Sequence, residues 1–186
     1  TGYPRNDFLF SYKQKDCMNI RNKLNITQDK KVILYAPTWR ENQFIPGLGY
    51  VHELILNLNK LKEHLYDEYI LLIRTHYFVK NNIDLSEYRN FILNVSEYDD
   101  INDLYIISDI LITDYSSVFF DYANLKKPII FYFYDLYQYQ NELRNFYFNL
   151  NELPGEIVLN ENDLILSIKK IQNSNYYNKK LLLLGR

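Results

Sequence analysis

Ile110-Leu111-Ile112-Thr113-Asp114-Tyr115-Ser116-Ser117 is the stretch that decides the fold. Ile110 to Ile112 read as a short buried strand, and the aromatic stretch from Ser117 to Leu125 is compatible with a helix, so Thr113 to Ser117 occupy a strand-to-helix turn. The first turn of a helix leaves backbone N–H groups without intrahelical partners and carries the positive end of the macrodipole, and Ser hydroxyls add further donors. Such a turn predicts an anion site, with a phosphate-bearing ligand as the first hypothesis. Asp114 and Ser116 have an ordinary alternative as helix caps. The phosphate role requires that the turn face a cleft.

Strands and helices alternate on either side. Asp16 to Leu24 predicts a helix, Val32 to Ala36 a strand stopped by Pro37, and Thr38 to Gly49 a loop. Leu54, Leu58, Leu61 and Leu65 recur at helical spacing and predict one amphipathic helix over Val51 to Leu65. Tyr69 to Ile73 and Phe91 to Val95 read as strands, and Asp99 and Asp100 supply caps to a helix over Ile101 to Ile107. Ile129 to Phe133 alternates poorly, as a parallel strand buried on both faces does. Ile157 to Leu159 and a helix from about Asp163 to Ile171 close the series. Strands alternating with helices predict an α/β fold: a Rossmann-like open parallel sheet with helices on both faces. No repeat or low-complexity linker interrupts the pattern, so residues 1–186 read as a single domain.

In such sheets ligands bind beyond the carboxyl ends of the strands. Polar clusters fall at those ends: Pro37-Thr38-Trp39-Arg40, Arg74-Thr75-His76, Ser96-Glu97-Tyr98 and Thr113 to Ser117. Their convergence on one cleft is a stronger signal than any of them alone.

Composition narrows the ligand. The chain has 186 residues, 47% hydrophobic and 24% charged, enough for one substantial core. A formal net charge of -2, from 21 basic and 23 acidic residues, supplies no general field for nucleic acid or anionic lipid, so an anion must be gripped locally. The single cysteine, Cys17, excludes an internal disulfide and a cysteine metal cluster, reads as a small buried apolar residue, and points to a reducing compartment. No apolar stretch reaches the ~20 residues of a membrane-spanning helix, which predicts a soluble segment. The chain opens at Thr1 without an initiator Met and ends at Leu181 to Arg186 without a polar tail, so it reads as excised from something larger. Its 19 Tyr and 11 Phe fit core packing plus half-exposed aromatic surface.

Neither G-x-G-x-x-G nor a Walker P-loop occurs, which disfavours a dinucleotide oxidoreductase and a P-loop NTPase. Metal and serine hydrolysis lack their motifs too, and no metal site is expected. Arg74 offers a fixed fork of donors to phosphate oxygens, and His76, two residues on, can donate a hydrogen bond or a proton near neutral pH. The ordinary alternative is a surface Arg with a solvated His. His52 and His64 fall in the predicted helix as surface or boundary residues. Trp39 and Arg40 line the cleft or plug it, and Asp121 pairs structurally or faces the ligand.

At these residues the sequence resembles the CDP-glycerol glycerophosphotransferase family of teichoic-acid and capsule polymerases and primases. The matching pieces are Gly2-Tyr3-Pro4-Arg5-Asn6-Asp7, Ile33 to Arg40, Leu72-Ile73-Arg74-Thr75-His76, Asp109 to Ser117 through Asp121, Lys127 to Tyr132, Asp135, and Pro154-Gly155. Each is modest; their order along nearly the whole chain is specific. The resemblance implies the carboxyl-terminal, donor-binding half of a GT-B glycosyltransferase-like enzyme. In it an acceptor hydroxyl attacks the β-phosphate of CDP-glycerol or CDP-ribitol, and CMP leaves. It implies His76 as the catalytic group at the pyrophosphate. Ser116 and Ser117 would hold phosphate oxygens, with Arg74, Asp114, Thr38, Trp39, Arg40 and Asp121 as further donor-site candidates. No cofactor is expected beyond the CDP-alcohol.

One departure from the family pattern is large. The second catalytic His, in a Trp-His-Gly-Thr-Pro-Leu-Lys-like motif upstream of Gly-Tyr-Pro-Arg-Asn-Asp, has no counterpart here. The lipid-linked polyol-phosphate acceptor would bind through an amino-terminal domain, and the full-length enzyme is expected at the cytoplasmic face of a bacterial membrane, with any membrane contact outside this segment. The segment alone is expected to bind CDP-alcohol without turning it over. A nucleotide-sugar glycosyltransferase or epimerase domain, and a non-catalytic scaffold of a polymer-synthesis complex, are the competing expectations.

Overall fold

The apolar runs of the sequence become the strands of one sheet. In the computed structural model the described residues are 3–38, 44–45, 49–50, 54–75, 85–139 and 150–173. In chain order the strands are β1 (Lys31–Ala36), β2 (Phe44–Ile45), β3 (Gly49–Tyr50), β4 (Tyr69–Ile73), β5 (Ile92–Asn94), β6 (Ile110–Thr113), β7 (Ile129–Tyr132) and β8 (Glu156–Val158). The helices are α1 (Asp7–Ser11), α2 (Gln14–Lys23), α3 (Leu58–Leu65), α4 (Ile101–Ile107), α5 (Val118–Tyr122), α6 (Leu136–Gln138) and α7 (Glu161–Asn173). Six strands form a sheet in the order β5-β4-β1-β6-β7-β8, with every pairing parallel. That is the doubly wound order, and it confirms the predicted Rossmann-like sheet.

Alternation along each strand distributes the core between two faces. Val32, Leu34, Leu72, Leu111, Ile129 and Phe131 point to one face, where Ile20 of α2, Leu104 and Ile107 of α4, and Phe119 and Tyr122 of α5 cover them. Ile33, Tyr35, Leu71, Ile73, Ile110, Ile112 and Ile130 point to the other, beneath Leu61 and Leu65 of α3 and Leu164 and Ile168 of α7. Both faces are filled, so the strands read as continuous apolar runs rather than as an alternation of apolar and polar.

Caps set several boundaries. The Asp100 carboxylate accepts from Asn102 N at 2.9 Å and starts α4 where the sequence predicts. The long helix predicted over Val51 to Leu65 is shorter in the structure. Asn57 caps it by accepting from Lys60 N at 3.1 Å, while its own N–H donates to Glu161 Oε1 at 2.6 Å. Residues 51–53 lie outside the described residues, and Leu54 to Leu56 pack on the core without helical geometry. Their spacing serves burial, not a helix. The antiparallel pair β2–β3 starts inside the predicted loop Thr38 to Gly49 and ends one residue beyond it, with Phe44 opposite Tyr50. The helix predicted to run to Leu125 is α-helical only through Tyr122; a 3-10 turn over Ala123–Leu125 follows and stops at Lys126 in the left-handed region, φ 54°.

Gly155 stands at the entry to β8, against its neighbour β7. A Cβ there would press on the Ile129 carbonyl oxygen and come within 2.9 Å of the Phe131 ring. Among the described residues no helix is long and apolar enough to cross a membrane.

Candidate functional site

β1 and β6 are adjacent, but the chain leaves them toward opposite faces: β1 leads to α3 and β6 to α5. That divergence opens a crevice at the carboxyl ends of the two strands, the switch point of a doubly wound sheet. A cleft of about 450 Å³ fills it. Ala36, Pro37 and Thr38 after β1 form one wall, Arg74 and Thr75 after β4 a second, and Tyr115, Ser116, Ser117 and Val118 after β6 a third, with Ile101 at the start of α4. The turn read first in the sequence does face a cleft.

Arg74 is the one cation among the described residues that line the cleft. Its Nη1 donates to the carbonyls of Val95 at 3.0 Å and Tyr98 at 2.6 Å. Those bonds use both hydrogens of Nη1 and leave Nη2 and Nε for an anion in the cleft. Burial of the guanidinium pushes its pKa below the ordinary arginine value, yet a group that starts so high stays charged at neutral pH.

Ser116 and Ser117 supply hydroxyls. Ser117 stands at the N-cap of α5 but makes no side-chain cap bond, and Ser116 Oγ lies 3.5 Å from Val118 N, at the limit of a hydrogen bond. Capping thus leaves both hydroxyls available. With only five residues, α5 adds little dipole, so the anion-holding power of the turn rests on its donors and on Arg74 more than on the helix.

Asp114 has a different position from its neighbours. It is 2% exposed, does not line the cleft, and accepts from Thr38 N at 2.7 Å. Thr113 Oγ1 donates to the Ala36 carbonyl at 2.7 Å beside it. Together they brace the loop after β1 against the turn after β6. Tyr115 is clamped as well: its ring stacks on Phe133 at 4.7 Å and on Tyr139 at 3.4 Å, and its hydroxyl donates to Asp135 Oδ1 at 3.0 Å.

Ser96, Glu97 and Tyr98 were expected in the cleft wall; they are not among its lining residues. Ser96 Oγ instead accepts from Thr75 N at 3.0 Å, and the Tyr98 carbonyl receives Arg74. Tyr98 donates its hydroxyl to Asp103 Oδ2 at 2.9 Å, and burial together with that carboxylate raises its pKa to about 12. This loop supports the wall from behind. Asp121 too is outside the cleft lining and pairs with Arg5 and Asn6. His76, Trp39, Arg40 and His52 lie outside the described residues. His64 lies in the last turn of α3. Among the described residues no group of three or more His, Cys, Asp or Glu could hold a metal ion.

The comparisons with known proteins agree with this fold. A family model described as CDP-Glycerol:Poly(glycerophosphate) glycerophosphotransferase matches residues 1–184. The teichoic acid poly(glycerol phosphate) polymerase of Bacillus subtilis (strain 168) is 47% identical over 178 residues, covering 95% of this chain and 24% of that protein. The teichoic acid poly(ribitol-phosphate) polymerase of Bacillus spizizenii (strain ATCC 23059 / NRRL B-14472 / W23) is 39% identical over 174 residues, covering 91% and 28%. Among solved structures, a variant of the wall teichoic acid polymerase TagF soaked with CDPG superposes with a TM-score of 0.87 at 44% identity, covering 98% of this chain and 45% of that one. The chain therefore spans less than half the length of these relatives, and its sheet has the GT-B-like architecture of TagF. A doubly wound sheet with a cationic, hydroxyl-lined crevice at its switch point, and a match over almost every residue, place this chain in the CDP-glycerol:poly(glycerophosphate) glycerophosphotransferase family.

Proposed function

We propose that residues 1–186 form the donor-binding domain of a polyol-phosphate transferase that takes CDP-glycerol, releases CMP and extends a phosphodiester-linked, teichoic-acid-like polymer. The observation that carries the reading is the meeting of Arg74 with Ser116 and Ser117 across one switch-point cleft. A pyrophosphate needs several donors at once, and such a site provides a charged fork and two hydroxyls with few competing bonds. Identity of 47% to a glycerol-phosphate polymerase against 39% to a ribitol-phosphate one favours glycerol as the polyol.

In the proposed transfer, an acceptor hydroxyl oxygen forms a bond to the β-phosphorus as the bond from that phosphorus to the bridging oxygen breaks. The electron pair leaves on CMP, and the hydroxyl proton passes to a base. Charge accumulates on the departing phosphate, where Arg74, Ser116 and Ser117 stabilise it. His76, two residues beyond Arg74 in the chain, protonates that phosphate. Thr38 lines the wall after β1, and Trp39 and Arg40, next in the chain, remain donor-site candidates; Asp114 holds Thr38 in place and Asp121 acts from outside the cleft. The acceptor, a lipid-linked polyol phosphate, binds to a region beyond these residues, at the inner face of a bacterial membrane.

Calorimetric titration of the chain with CDP-glycerol, CDP-ribitol and UDP-sugars tests this. CDP-glycerol is expected to bind most tightly. Preference for a UDP-sugar would support a nucleotide-sugar enzyme, and silence toward every nucleotide would support a scaffold. Ser116→Ala combined with Ser117→Ala is expected to weaken CDP about tenfold with unfolding unchanged, the cost of hydrogen bonds to a charged group. Unchanged affinity would remove the serines from the site.

A further inference from the structure

Pro4–Asn6 is a single 3-10 turn far from the cleft in sequence, yet it touches both helices that flank the cleft. Arg5 Nη2 donates to Asp121 Oδ2 at 2.9 Å and Asn6 Nδ2 donates to Asp121 Oδ1 at 2.8 Å. Both carboxylate oxygens of a residue only 7% exposed are thus held by one turn, 116 and 115 positions away in the chain. On its other side the turn accepts: Asn102 Nδ2 donates to the Arg5 carbonyl at 3.1 Å. Asp121 lies in α5, which follows Ser116 and Ser117, and Asn102 lies in α4 next to Ile101. Ser116, Ser117, Val118 and Ile101 all line the cleft, whereas Arg5, Asn6, Asn102 and Asp121 do not.

We infer that this turn is a staple across the two helix starts, and that Asp121 is a positioning residue which fixes the spacing between the Ser116–Ser117 turn and the wall at Ile101. The inference rests on the proposed donor reading and deepens it. A carboxylate receiving two side-chain donors from one direction has little rotational freedom, so α5 is held by its buried side as well as by the sheet. Nucleotide phosphates bridging from Arg74 to the serines require that spacing to hold within a fraction of an ångström, because hydrogen bonds weaken steeply outside a narrow distance range. The Arg5 side chain is 61% exposed, which screens its charge and limits its share of the folding energy, and Asn6 still donates to the buried Asp121 carboxylate when Arg5 is gone. Removal of Arg5 is therefore expected to loosen the cleft more than it destabilises the chain.

The test compares Arg5→Ala, Asp121→Asn and the double variant, with CDP affinity by calorimetry and thermal unfolding measured on each. Each single variant is expected to weaken CDP about threefold to tenfold, as for coupled neighbours, and the double to weaken it no more than the worse single. Arg5→Ala is expected to leave the unfolding midpoint close to that of the parent, which keeps the test open if Asp121→Asn folds poorly. A purely structural pair would lower the midpoint with CDP affinity untouched, and that result overturns the staple. A parent chain that binds no CDP removes the donor reading and the staple with it; a parent that binds while the variants match it removes the staple alone.

Discussion

Arg74→Ala is expected to reduce the affinity of the chain for CDP about a hundredfold, the loss of a bidentate charged contact to phosphate. The substitution removes two things together. It takes away the cleft-facing nitrogens, and it cuts the bonds from Nη1 to the carbonyls of Val95 and Tyr98 that hold the loop after β5 against the end of β4. Arg74→Lys separates them: one ammonium restores the charge but offers its three donors from a single point, not a planar fork that grips phosphate bidentately, so about a tenfold loss is expected to remain. Calorimetric titration with CDP reads both variants. Binding of Arg74→Ala within threefold of the parent would show that the guanidinium only braces the loop.

Gly155→Ala is expected to lower folding stability by about 3 kcal/mol, the upper range for overpacking against atoms that cannot move aside. The added methyl group meets the Ile129 carbonyl, which is backbone at the first residue of β7 where the sheet is paired on both sides, and the buried Phe131 ring. Relief requires β8 to shift from β7. Urea unfolding followed by circular dichroism measures the effect, and an unchanged midpoint would refute it. The protein that remains folded is expected to bind CDP normally, since Gly155 precedes β8 and the cleft lies at the carboxyl ends of the strands.

The sheet was legible because each strand is buried on both faces and so writes itself as an apolar run; Tyr69–Ile73 and the helix Ile101–Ile107 match their predicted bounds. The Leu stripe before Leu65 misled because residues can bury at helical spacing without forming a helix, and only the Asn57 cap shows where α3 begins. Within the site, strand ends gave the right neighbourhood but not each side chain's direction. Thr38, Arg74, Ser116 and Ser117 reach the cleft, while Ser96 and Tyr98, one loop away, reach back to hold Thr75 and Arg74. Asp121 illustrates the limit most clearly. Its partners are over a hundred positions distant, and no local periodicity encodes such a pairing.

The central place of β1 has a consequence for how the chain is made. β1 pairs with β4 on one edge and with β6 on the other, and its contact from Ala36 to Thr113 spans 77 positions. A ribosome adding 5–20 residues per second leaves roughly 4–15 s between the emergence of those two ends. Throughout that interval the central strand of the sheet presents a row of unpaired N–H and C=O groups, a template for another nascent chain. Domain synthesis thus passes through a vulnerable half-sheet, and it ends only when the same Ile110–Ser117 stretch that builds the cleft docks beside β1 and seals it.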